Sequence, residues 1–162
     1  MKNKLFIALF LALVLQIGFV QAQTEKPKKI DAKKVAKTLA VGMKGYENFI
    51  KGVQTGEWQS FFEMLTDDYT IYFPQGKFQG EQKGKEKAME FFRYVSDTFK
   101  GGFKVVEVLR VTASETTVIF ELRDEAILRG NPYKNRVSLS WDVRGDKLSA
   151  YREYFGSDGK SN

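Results

Sequence analysis

Hydrophobic positions along this chain recur first at helical and then at strand spacing. Val35, Leu39, Met43, Tyr46, Phe49, Ile50 and Val53 return every third or fourth residue. That period predicts an amphipathic helix, with Asp31 able to cap it and Gly56 to end it. Residues 57–68, EWQSFFEMLTDD, read as a second, short amphipathic helix. YTIYF (69–73) reads as a strand, halted by Pro74 and the turn residues of PQGKFQGEQKG. Ala88, Met89, Phe92, Val95, Ser96 and Phe99 mark a third helix from about Lys85, closed by Gly101 and Gly102.

Beyond that point the pattern is that of β-structure. Residues 103–112, 116–128, 133–143 and 147–155 form four candidate strands, joined by hairpin-sized connections. Helices followed by a long antiparallel meander imply an α+β fold, with the helices packed on one face of a curved sheet. Because successive strand residues alternate faces, Phe120, Leu122 and Asp124 share one side and Glu121, Arg123 and Glu125 the other. Two large apolar groups against three charges make the first set the inner one. By the same test Val137, Leu139, Trp141 and Val143 point inward, while Ser138, Ser140 and Asp142 point outward. On the last strand alternation leaves the inner set open, but it places Arg152 and Glu153 on opposite faces.

The first 22 of the 162 residues interrupt this globular pattern. Lys2 and Lys4 precede an apolar run (5–20), and Val20-Gln21-Ala22 has the spacing of a cleavage site. This is the signature of a secretory signal peptide, with Gln23 the first mature residue. The run is shorter than the ~20 residues a membrane span needs, so no stable membrane anchor is expected after cleavage. The organisation is then a signal peptide (1–22), a basic linker (23–34), one domain (35–156) and a short tail (157–162). Export implies a secreted or periplasmic location.

Composition narrows the chemistry. The chain has no His and no Cys. Disulfides, Cys nucleophiles, Ser-His-Asp triads, His general bases and His/Cys zinc sites are thereby excluded. The net charge of +6 includes Lys2 and Lys4 of the leader, and much of the rest lies in KPKKIDAKK (26–34). That stretch reads as a solvated linker or first-turn face, the alternative being a polyanion-binding tail. No zinc finger, Gly-rich phosphate loop or RNP-type motif accompanies it, so nucleic acid is not an expected partner. Asp67 and Asp68 have no third ligand in view and read as helix-end turn chemistry, and no metal or cofactor is expected.

The order of elements, with YENFIKGVQTGEWQSFFEMLTDDYTIYFPQG, GKEKAMEFFRYV and the closing DKLSAYREYFG, resembles the nuclear transport factor 2-like superfamily. Within it the likeness is to the SnoaL-like and ketosteroid-isomerase-like branch, over about residues 46–156. The resemblance implies a conical, cystatin-like fold. Three N-terminal helices would pack on the concave face of the antiparallel sheet around a pocket. It aligns the isomerases' general-base Asp with Phe73, their oxyanion-hole Tyr with Phe49 and their protonated Asp with Leu139. All three positions are apolar, so steroid-type isomerisation is not expected. The limonene-epoxide-hydrolase-like members close on WRDYFD, similar to YREYFG here. That likeness puts their two acids at Asp124 and Glu153, their bridging Arg at Leu122 and their water-holding Asn at Phe73. It also turns Tyr151, Glu153 and Phe155 inward.

The candidate catalytic pair is therefore Asp124 and Glu153, in a pocket lined by Phe73, Phe92, Phe120, Leu122, Leu139, Trp141, Tyr151 and Phe155. In low dielectric, two nearby carboxylates do not both ionise easily, which leaves one as a proton donor near neutral pH. The alternative is a solvated Asp124 at the pocket rim and a Glu153 bonded structurally to a Tyr or an Arg. The leading expectation is a binding domain for a small hydrophobic molecule. Beside it stand a cofactor-free hydrolase or lyase using the acid pair, and a protein-interaction module with a vestigial pocket. On the outer face, Glu121, Arg123 and Glu125 are expected to pair with Arg136 and Arg152, or to form a polar homodimer interface through the convex sheet face.

Overall fold

The computed structural model describes residues 29–99, 102–128 and 130–156. The expected signal peptide and C-terminal tail lie outside them. Helix α1 (Ala32–Thr55) starts where the Asp31 side chain accepts hydrogen bonds from the backbone N–H groups of Lys33 and Lys34, at 3.0 and 3.3 Å. It ends at Gly56, whose left-handed φ of 78° suits a residue without a Cβ. Lys33 and Lys34 fall in its exposed first turn.

The buried stripe of α1 is Thr38, Gly42, Gly45, Phe49, Gly52 and Val53, whereas Leu39 and Met43 remain partly exposed. Periodicity had favoured the larger side chains, but the helix lies too close to the rest of the molecule for them. A Cβ on Gly42 would sit 2.2 Å from Val118 Cγ1, and one on Gly52 would sit 2.2 Å from the Trp58 ring.

Helix α2 is one turn (Gln59–Phe62), shorter than the helix expected over 57–68. Strand β1 (Leu65–Phe73) takes over the rest, because Leu65 pairs with Leu148 and is buried. A 3₁₀ turn (Gly76–Phe78) buries Phe78 and leads into β2 (Gly80–Lys83), a short edge strand in the segment read as turn. Helix α3 (Lys85–Thr98) buries Ala88, Phe91, Phe92 and Ser96. Strands β3 (Lys104–Ala113), β4 (Thr117–Leu128), β5 (Asn131–Arg144) and β6 (Lys147–Gly156) follow among the described residues.

The six strands form one open, curved sheet in the order β2-β1-β6-β5-β4-β3. All neighbours are antiparallel except β1 and β6, which run parallel. Register shifts in the β1–β6, β3–β4 and β5–β6 pairings help bend it. Helix α1 packs across β3 to β6, and α3 across β1 and β2. The α+β architecture with three helices on a curved sheet is as expected.

The narrow part of this cone is solid with aromatic rings. Phe49 lies 5.5 Å from Trp141 between ring centres, Phe92 lies 5.4 Å from Tyr151, and Tyr46 stacks on Phe120 at 4.6 Å. Trp58 donates its indole N–H to Ser96 Oγ at 3.0 Å, so that burying this ring leaves no polar group unmet.

Candidate functional site

The wide end of the cone is hollow. A cavity of about 410 Å³ opens between α1, α3 and the inner faces of β4, β5 and β6. Phe49, Ile50 and Val53 of α1 form one wall. Phe73, at the end of β1, is held against Phe91 and Phe155 at 5.0 and 5.7 Å. Phe99 meets Phe103 and Tyr133 at 5.8 and 5.7 Å. These rings line the space without filling it.

Strand register fixes the floor. Phe120, Leu139 and Glu153 form one row across β4, β5 and β6; Leu122, Val137 and Phe155 form the next; Asp124 and Asn135 begin a third. Asp124 and Glu153 thus occupy opposite corners of a block whose centre is Val137, with Leu122 and Phe155 on either side. The position that the family resemblance assigns to a bridging Arg holds Leu122, and the floor between the acids is apolar.

Of the expected wall, Phe73, Leu122, Leu139 and Phe155 line the cavity together with Asp124 and Glu153. Phe92, Phe120, Trp141 and Tyr151 do not; each is at most 1 % accessible, inside the aromatic core behind the cavity. Alternation places them on the correct face, but depth along the cone decides between wall and core. Lining residues absent from the expected set include Phe91, Phe99 and Phe103 around α3, with Tyr133 and Asn135 on β5. Extending the inner-face alternation of Val137 and Leu139 backwards along β5 reaches Asn135 and Tyr133.

Both acids stand in unusual surroundings. Asp124 is 7 % accessible, and its Oδ1 is buried without a hydrogen-bond partner. Burial, helped by the charge of Glu153, pushes its carboxyl up to about 7. Glu153 accepts a hydrogen bond from the Tyr151 hydroxyl. Burial nevertheless raises Glu153 to about 7, the Tyr151 bond offsetting part of the effect. The expected alternative is met in one half only: Glu153 does hold a tyrosine, but Asp124 is no solvated rim residue. Tyr133, which also lines the cavity, is raised too, by burial and then by the charges of both acids. The basic residue among those lining the cavity is Lys77 at its mouth. It is bonded to Glu90 at 3.1 Å and lies 5.0 Å from the centre of the Phe78 ring.

The outer face is wired differently from expectation. Arg123 pairs with Glu107 at 2.6 Å, and Glu125 with Lys104 and Lys134, both at 3.1 Å. The ladder therefore crosses mainly to β3, whose charges sequence alternation alone did not bring into register. Arg136 lies opposite Arg123, and Arg152 grips Asp142 instead, with Nη1 to Oδ2 at 2.9 Å. Trp58 and Trp141 are core residues. Asp68 of β1 pairs with Arg144, so its role is an ion pair on a strand rather than turn chemistry. Among the described residues no three acidic side chains cluster as metal ligands would, and no helix is long and apolar enough to cross a membrane.

Comparison with solved structures finds the same architecture repeatedly. A 1.65 Å crystal structure of an NTF2-like protein from Anabaena variabilis ATCC 29413 is 54 % identical, with a TM-score of 0.74 over 83 % of this chain and 99 % of that one. A protein of unknown function with a cystatin-like fold from Xanthomonas campestris aligns at 16 % identity and a TM-score of 0.62, over 74 % of this chain and 91 % of that one. An LEH-like epoxide hydrolase from M. tuberculosis aligns at 20 % identity and a TM-score of 0.55, over 72 % and 84 %. The last two likenesses establish fold alone. No curated protein matches the chain. The SnoaL-like domain family matches residues 46–151, most of the described fold, and with its NTF2-like neighbours this shows that the chain belongs to the SnoaL-like family.

Proposed function

We propose that this chain is an exported SnoaL-like domain that binds a small, largely apolar molecule in the cavity at the wide end of its cone. One observation carries the reading: a space of about 410 Å³, walled by aromatic and aliphatic side chains, with a few polar groups, among them Asp124, Asn135 and Glu153, set into that lining. That is the usual anatomy of a small-molecule site, in which apolar area supplies affinity and sparse polar groups supply orientation. The open cavity argues against the interaction module, which would have its pocket filled by side chains such as Phe73. The apolar residues at Phe49, Phe73 and Leu139 argue against steroid-type isomerisation, which needs a base and oxyanion donors there. Exposed Tyr72 and Tyr154, 5.9 Å apart between ring centres on the outer face, add to the charge ladder as a surface for a homodimer.

Native mass spectrometry of the protein isolated from its own source tests these points together. The expected spectrum shows a polypeptide beginning at Gln23 with a small apolar adduct that leaves on denaturation. A ligand-free protein that also fails to take up apolar probes would overturn the binding reading.

A second reading is favoured by one specific feature, the presence of two carboxyls near 7 in the same cavity. Such groups can donate or accept a proton at neutral pH, as a cofactor-free hydrolase or lyase requires. D124N/E153Q should then abolish turnover while leaving ligand binding in place. Wild-type turnover by that double variant ends the acid-pair mechanism.

A further inference from the structure

The floor of the cavity is unbalanced in charge. Asp124 on β4 and Glu153 on β6 lie at opposite corners of the floor formed by Leu122, Val137 and Phe155. The described groups packed around them supply no cation. Helix α1 contributes only Phe49, Ile50 and Val53; β5 contributes the neutral Asn135 and the phenol of Tyr133. Beside Glu153 on β6 is the phenol of Tyr151, already donating to it. Lys77 is committed to Glu90 of α3 at the mouth, and Arg152, on the far side of the sheet, to Asp142. Asp124 Oδ1 is an acceptor on a side chain more than nine-tenths buried, lines the cavity and has no donor.

A buried carboxylate oxygen without a donor costs free energy that a ligand can recover by bringing one. A neutral donor would satisfy the hydrogen bond and leave the charges facing each other. A cationic nitrogen would do both. Resting on the small-molecule reading above, we propose that the ligand of this cavity is an apolar amine. Its protonated nitrogen lies over the Leu122–Val137 floor between Asp124 and Glu153, its N–H groups satisfy Asp124 Oδ1, and its hydrocarbon body lies against Phe73, Phe99 and Phe155. Because both carboxyls are partly protonated near neutrality, seating the cation drives protons off the pair.

The test is isothermal titration of the purified protein with matched phenylalkyl amines and phenylalkyl alcohols, in two buffers of different ionisation enthalpy. At about pH 7 an amine should bind at least about tenfold tighter than the alcohol of the same length and release close to one proton, the alcohol releasing none. In D124N/E153Q the preference and the proton release should both vanish. Should that variant fail to fold, the wild-type preference and proton count decide the matter alone. Alcohols binding as tightly as amines, an amine that releases no proton, or a preference that survives in D124N/E153Q each overturns the amine assignment and leaves the cavity a binding site. Neither class binding at any chain length overturns the small-molecule reading itself.

Discussion

Asp124 and Glu125 are neighbours in sequence, yet the sheet between their side chains gives them opposite chemistry. Glu125 points outward, where bonds from Lys104 and then Lys134 hold its carboxyl below the ordinary value. Asp124 points inward, and burial with the nearby charge of Glu153 pushes it to about 7. Arg152 and Glu153 repeat the contrast on β6: the guanidinium outside binds Asp142, and the carboxyl inside meets one phenol. Depth alone does not separate the two faces. Asp142 is itself partly buried, which raises it, but the hydrogen bonds from Arg152 and Thr117 outweigh burial and hold it low. What the inner acids lack, among the described residues, is a cationic partner.

The sharpest way to break this contrast is to supply one. Leu122→Arg places a guanidinium on the cavity floor beside both carboxyls. Carboxyl titration followed by NMR should then show Asp124 and Glu153 falling from about 7 to the ordinary carboxylate range or below. Midpoints still near 7 would mean that burial, and not the missing partner, sets them.

The next largest effect is on stability. Both inner acids have folded values above their unfolded ones, so between about pH 4 and 7 the folded chain binds more protons than the unfolded chain. Their contribution is fully present below about pH 4 and is lost as pH rises through about 7. D124N/E153Q should therefore be more stable than wild type at pH 8, on the order of 2–4 kcal/mol once screening by cavity water is allowed for. The advantage should disappear near pH 4. Urea unfolding at the two pH values measures it, and a pH-independent difference would count against the linkage.

On the outer face the sign reverses. The lowered Asp142 stabilises the fold above its unfolded value and loses that contribution as pH falls through the folded one. Asp142→Asn should cost about 1–2 kcal/mol at pH 7, by leaving Arg152 without a counter-charge. In acid the loss should fade. Glu125→Gln should have the smallest effect, because its two lysines are well exposed. Its melting curve should overlay wild type in high salt, and a clear destabilisation there would mean that the ladder matters more than exposure implies.

Much of this arrangement is written in residue alternation. The inner placement of Phe120, Leu122 and Asp124 follows from three charges facing them across one strand, and Asp31 and Gly56 bound α1 where capping chemistry puts them. Three features resist such reading for physical reasons. Strand β2 is GEQK, an edge strand whose pairing is made by backbone groups and shows no apolar alternation. The start of β1 at Leu65 depends on Leu148, which lies far along the chain. Trp141 and Leu139 are two residues apart on the same face, yet one is core and the other cavity wall. No local pattern encodes distance along the cone.

The parallel pairing of β1 with β6 has a consequence for the order in which the protein is made. β6 joins two otherwise separate pieces, the β1–β2 hairpin and the β3–β5 meander, and of the six described strands it leaves the ribosome last. The contacts it makes with β1 span most of the domain, so they form slowly and late. Until then α1 has no complete surface to lie on, and Glu153 has not joined Asp124. A nascent chain stalled before Lys147 should accordingly be cut by protease throughout. One carrying the full β6 clear of the exit tunnel should resist, and early resistance would mean that the meander folds alone.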